Sequence, residues 1–108
     1  MTPIKIVHLR QETSQRGGMT LAYDSEHKKI AYAVCSKEDM YSRKRGKSIA
    51  TGRLLKRGIE ENDPTAVINI LQKEAESHRL HIDGYKICSI IWYFYSGRKN
   101  EYESITSS

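Results

Sequence analysis

The sequence predicts an α+β fold in which a small antiparallel sheet packs with two helices, completed as an intertwined or closely packed homo-oligomer. Three observations lead there. Short β-rich segments separated by turn residues fill the first 35 positions, a long basic segment with helix-end signals follows, and an apolar stripe at helical spacing runs from Val67 to Ala75. A chain of 108 residues can bury about two thirds of its unfolded surface around one core, so a single domain over 1–108 is expected. With 38% hydrophobic and 29% charged residues the core is modest, and a second copy would enlarge it.

Residues 1–35 read as a β-ribbon. Ile4 to Leu9 alternates apolar residues with Lys5 and His8, the pattern of a half-buried strand. The polar stretch ending in Gly17-Gly18 reads as a loop, and Met19–Tyr23 and Ile30–Cys35 flank DSEHKK as the two arms of a hairpin. A basic helix is expected over 36–58. Ser36 with Asp39 three residues on resembles a capping box, Lys56 and Arg57 suit the last turn, and Gly58 suits a left-handed stop.

A second helix is expected over 63–80, with Asp63 as cap and Pro64 in the first turn. Residues 85–95, rich in β-branched and aromatic side chains, read as a buried strand, and 101–108 as a polar tail. Cys35 and Cys88 lie in apolar runs and read as buried free thiols. The N-terminus lacks the pattern of a secretion signal and no apolar run is long enough to span a membrane, so a cytosolic protein is expected.

Chemistry concentrates in Lys37–Arg57, where eight basic residues face only Glu38 and Asp39, while the rest of the chain is close to neutral. Charge focused on one element favours an anionic partner. On an ideal helix Gly46, Ala50, Arg53 and Arg57 share a face, where two small residues allow close approach and two guanidinium groups one turn apart offer donor forks to phosphate. The competing reading leaves Arg53 and Arg57 solvated at the end of the helix, or pairs them with carboxylates such as Glu60 and Glu61. Tyr23 and Tyr32, on the ribbon beside this helix, are placed to stack on a base.

Gly46-Lys47-Ser48 ends like a phosphate-binding P-loop, but Tyr41 stands where the motif needs glycine, which argues against an NTPase. His8, His27, His78 and His81 do not combine with the cysteines at zinc-ligand spacing, so no metal and no cofactor is expected. No nucleophile has a base identifiable from sequence, and no enzymatic activity is expected.

The block Cys35-Ser36-Lys37-Glu38-Asp39-Met40-Tyr41-Ser42-Arg43, followed by Gly46, Ile49-Ala50 and Gly52-Arg53-Leu54, resembles a pattern in small phage proteins. There a Cys-Asn-Pro-Lys-Asp-x-Phe-Ser-Arg block precedes a Gly-Arg/Lys-x-Ile-Ala-x-Gly-Arg-Leu block. The family is that of the phage anti-Thoeris sponges (Thoeris anti-defence protein, first type), and the similarity covers residues 17–57. It implies immune evasion in the cytoplasm of an infected bacterial host. The protein would sequester, without cleaving it, the cyclic ADP-ribose signal made by bacterial TIR proteins.

By the same resemblance Arg53 and Arg57 would grip phosphates, Ser36 would stand at a polar Asn position, and Tyr23 would stack on the base; Lys47 is a further candidate ligand-binding residue. Ser36 and Arg53 lie about 25 Å apart on one continuous helix at 1.5 Å per residue. A shared ligand therefore requires a break near Gly46 or a pocket between the antiparallel helices of a homodimer or larger symmetric oligomer. Two other partners also fit a basic helix: a nucleic-acid backbone, revealed by steep salt dependence, and the acidic surface of a host protein.

Overall fold

The computed structural model describes residues 4–11 and 14–96. Four antiparallel strands form one sheet in the order β1 (Ile4–Arg10), β2 (Arg16–Asp24), β3 (Lys29–Met40), β4 (Ile59–Glu60). Three helices accompany it: α1 (Arg43–Arg57), α2 (Pro64–Ser77) and α3 (Gly84–Ser96). The fold is α+β, as the sequence pattern indicates, with one more helix than expected.

Strand alternation sorts the sheet into two unlike faces. Val7, Leu9, Met19, Leu21, Tyr23 and Ile30 point to one face and pack with Val67, Ile68 and Leu71 of α2 and Ile87, Ile90, Ile91 and Phe94 of α3. Fully burying such side chains stabilises by about 1.5–3 kcal/mol each. The opposite face presents Ala22, Ala31 and Ala33, against which Ala50 and Leu54 of α1 are buried. The sheet is therefore sandwiched between α1 on its small-residue face and the α2–α3 pair on its large-residue face.

The basic helix starts at Arg43 rather than at residue 36. Ser42 is its cap, its hydroxyl accepting from the Arg45 N–H at 3.2 Å. Ser36 instead opens a bulged excursion within β3. The β2–β3 register jumps between Gly18↔Cys35 and Arg16↔Met40, so Gly17 on one strand faces residues 36–39 on the other. Gly17 takes φ +74, a left-handed conformation that glycine adopts at no steric cost. Ser36 Oγ accepts from Glu38 N–H within the excursion, and Arg16 Nη1 donates to the Glu38 carbonyl at 2.6 Å.

Gly58 does end α1, but with φ −66 rather than in a left-handed turn. Its missing side chain makes room, because a Cβ there would lie 2.9 Å from Lys29 Cβ as the chain passes into β4.

For α2 the expected cap holds: Asp63 Oδ1 accepts from Thr65 N–H, and Pro64 opens the helix. The helix ends at Ser77, and Arg79 at φ 56 turns the chain so that Arg79 N–H reaches the Glu76 carbonyl and Leu80 N–H the Ala75 carbonyl. These are the paired bonds of a Schellman stop.

Residues 85–95 form a helix, not a strand. Asp83 caps it through Tyr85 N–H at 2.9 Å, and Ile87, Ile90, Ile91 and Phe94 recur at the spacing of one helical face. Burial of that stripe outweighs the β propensity of the individual residues. The tail at 101–108 lies outside the described residues. Among the described residues no helix is long and apolar enough to cross a membrane.

Candidate functional site

Strand β4 is only two residues long and covers β3 only at Lys29 and Ile30. Beyond that point the outer edge of β3 has no strand beside it among the described residues. Helix α1 lies on one side of this edge and α2 on the other, and a cleft of about 700 Å³ opens between them. Its floor is Ile30, Ala31, Tyr32 and Val34 of β3, with Ile59 at one end. One wall carries Arg53, Lys56 and Arg57 of α1, and the other Glu74 of α2 and His78 at its C-cap. Each wall is built from residues one helical turn apart, which places their side chains on one line.

Arg53 Nη1 donates to the Tyr32 carbonyl at 3.0 Å. That bond satisfies a backbone acceptor on the open edge and holds the guanidinium at the rim, with its other N–H groups free to act as donors. Among the described residues neither arginine pairs with Glu60 or Glu61, and both side chains are exposed to solvent. Glu60 pairs with Lys29 at 3.2 Å, and Glu61 Oε1 accepts from Asp63 N–H. Arg53, Lys56 and Arg57 are exposed and in no ion pair among the described residues.

The opposite wall has the complementary sign. Burial, then the nearby Glu74 charge and its hydrogen bond, raise the pKa of Tyr32 above its ordinary value, with Arg53 opposing. In that hydrogen bond the Tyr32 O–H is the donor and the Glu74 carboxylate the acceptor. His78 Nδ1 lies 2.9 Å from the Glu74 carbonyl, which can only accept, so Nδ1 carries the hydrogen.

The cleft brings together Arg53, Arg57 and Tyr32 from the residues singled out in the sequence, and separates the others. Tyr23 is 2% exposed, stacked on Phe94 at 5.0 Å and tilted against Tyr95, so it belongs to the core and has no face for a base. Ala50 is buried on the alanine face of the sheet, and a Cβ on Gly46 would collide with Thr20 Oγ1 at 2.1 Å. The small residues of α1 thus admit the protein's own sheet rather than a ligand. Ser36 and Gly46 line a separate hollow of about 170 Å³ near the start of α1.

Lys47 points to the β1 side, where with Arg43 and Arg10 it acts on His8. His8 Nδ1 sits 2.8 Å from the Tyr41 hydroxyl and 3.0 Å from Thr20 Oγ1, and Tyr41 O–H donates to the Met19 carbonyl. This network anchors the start of α1.

Compared with known protein families, characterised proteins and solved structures, the chain finds no match. Among the described residues no group of three or more His, Cys, Asp or Glu side chains is placed to hold a metal ion. Sequence reading missed Lys56, Glu74 and His78 as cleft residues. The spacing of Glu74 and His78 along α2 was visible, but nothing local shows that their face meets the wall formed by α1.

Proposed function

We propose that the chain binds a cyclic ADP-ribose-type nucleotide in the cleft at the β3 edge and holds it without cleavage. The observation that carries the reading is the α1 wall: three cations, free of carboxylate partners, beside an aromatic ring in a cleft of nucleotide size. Two guanidinium groups one turn apart suit a pyrophosphate, each offering charge-assisted donors in a planar fork. Tyr32 replaces Tyr23 as the aromatic residue for the base.

Storage rather than turnover, and action against a defence signal in the cytoplasm of an infected host, follow from the similarity of Cys35–Leu54 to the anti-Thoeris sponges. The cleft is open along the sheet edge, where a second copy in a homodimer or larger symmetric assembly would close it. Sequestration needs tight binding, and a nanomolar dissociation constant corresponds to about 12 kcal/mol.

A second reading draws on Arg43, Lys44, Arg45 and Lys47, which are exposed on α1 away from the cleft and suit a nucleic-acid backbone. Calorimetric titration of wild type and Arg57→Ala with cyclic ADP-ribose tests the cleft. Arg57→Ala is expected to keep its melting temperature and to weaken binding by about 1.5–3 kcal/mol, the range for hydrogen bonds to charged groups. Unchanged affinity in that variant removes the clamp. Binding that instead scales with polynucleotide length and falls steeply with salt favours the second reading.

A further inference from the structure

The two walls of the cleft stand on opposite faces of the sheet and carry opposite charge, a feature a simple phosphate site does not need. Glu74 is the one carboxylate among the lining residues, and it faces Arg53, Lys56 and Arg57 across the β3 edge. An anion is drawn to the α1 wall and repelled by Glu74. The occupant that suits both walls has phosphates at one end and hydrogen-bond donors at the other.

Among the described residues, the Glu74 carboxylate keeps acceptor capacity that the protein does not use. His78 Nδ1 is 3.9 Å from its carboxylate, too long for a hydrogen bond, and is committed to the Glu74 carbonyl instead. The Tyr32 hydroxyl takes only part of the acceptor capacity of a carboxylate, which has about four lone-pair sites. Glu74 and Tyr32 line the same cleft, so the remaining oxygen positions are within the site where a base would lie.

We infer that Glu74 is a specificity residue that reads the exocyclic amine of the base while the α1 cations hold the phosphates. The inference rests on the nucleotide reading of the same cleft. It assigns the ligand class more narrowly, to nucleotides whose base presents an N–H donor at the ring edge and not a carbonyl. An oxo group in that place would set two acceptors against each other, which penalises the wrong base more strongly than a missing contact does.

Cyclic ADP-ribose and its N1-linked inosine counterpart provide the test. In both, N1 is blocked by the ribose, and they differ in carrying nitrogen with hydrogen or a carbonyl oxygen at position 6. Calorimetry is performed on wild type, Glu74→Gln and Glu74→Ala, with thermal melts to confirm folding. Wild type is expected to prefer the amino form by about 100-fold or more, the scale of discrimination by a site built around a substrate donor. Glu74→Gln, whose amide can donate to the oxo group, is expected to erase or reverse the preference, and Glu74→Ala to erase it.

A purely structural role for Glu74 would weaken both probes alike. Equal wild-type affinity for the two probes overturns the inference and leaves the nucleotide reading standing. A preference that persists in Glu74→Gln also overturns it. Binding of neither probe to wild type overturns the inference together with the reading beneath it.

Discussion

The two faces of the sheet divide the work of the molecule. Toward α2 and α3 the strands present Met19, Leu21, Tyr23 and Ile30 to a core of large side chains. Toward α1 they present Ala22, Ala31 and Ala33, with Thr20 beside them, to Gly46 and Ala50. Large residues bury area and supply stability. Small residues bring a basic helix close to the sheet, so that the cations of its last turns reach the β3 edge. The difference shows that apolar content alone is a poor guide to where a cleft forms, since the small-residue packing face is the one that brings the cations of α1 to it.

The largest effect is expected on the large-residue face. Tyr23→Ala should cost about 3–5 kcal/mol in urea denaturation, the range for deleting a buried aromatic side chain. Tyr23→Phe should keep both fold and ligand affinity, because the ring packs in the core against Phe94 and faces no ligand. Loss of ligand in a folded Tyr23→Phe would return Tyr23 to the site.

The small-residue face is broken by one methyl group. Gly46→Ala places a Cβ 2.1 Å from Thr20 Oγ1 and should cost about 1–3 kcal/mol by overpacking, measured by the same method. Gly52 on the same helix has nothing within 4 Å of the equivalent position, so Gly52→Ala should stabilise by about 1 kcal/mol through helix propensity. Equal effects at the two glycines would mean that α1 does not rest on the sheet through its small face.

A smaller effect sharpens the anchoring of α1. Burial first, and then Arg43, Arg10 and Lys47, lower the pKa of His8 below its ordinary value of 6.5. The unfolded chain therefore takes up the proton more readily than the folded one. The contribution of His8 is present in full above pH 6.5 and is lost as pH falls through that value toward the lower folded pKa. Wild type should lose stability from pH 7 to pH 5, and the slope should be shallower in His8→Gln. An unchanged slope would remove His8 from the explanation of acid sensitivity.

The strands of the ribbon were legible because period-two alternation is a local property, and α2 because Asp63-Pro64 marks its start. Helix α1 was legible at its end and not at its beginning. Ser36 and Asp39 imitate a capping box, whereas the cap is Ser42, and the intervening excursion depends on how Gly17 and Arg16 of another strand meet it. For α3 the two local signals conflict: β propensity points to a strand, whereas Ile87, Ile90, Ile91 and Phe94 carry the helical period, and burial of that stripe decides.

Of the candidate site, the cationic half could be found in one segment, since Arg53 and Arg57 lie one turn apart. The Glu74–His78 half could not. It joins the first only because α1 and α2 flank the same strand edge, a long-range fact that no local pattern contains. The geometric difficulty of linking Ser36 to Arg53 along one helix disappears with the same observation, because Ser36 is on β3 and belongs to a different hollow.

Nucleotide retention is the most direct measurement. The purified protein is incubated with cyclic ADP-ribose isomers, freed of unbound material and heat-denatured, and the released molecules are identified by mass spectrometry. Recovery of an intact nucleotide at about one per subunit in wild type, and a clearly lower recovery from folded Arg57→Ala, is the predicted result. Recovery of a cleaved product, or of no nucleotide at all from wild type, would contradict a storage site at the β3 edge.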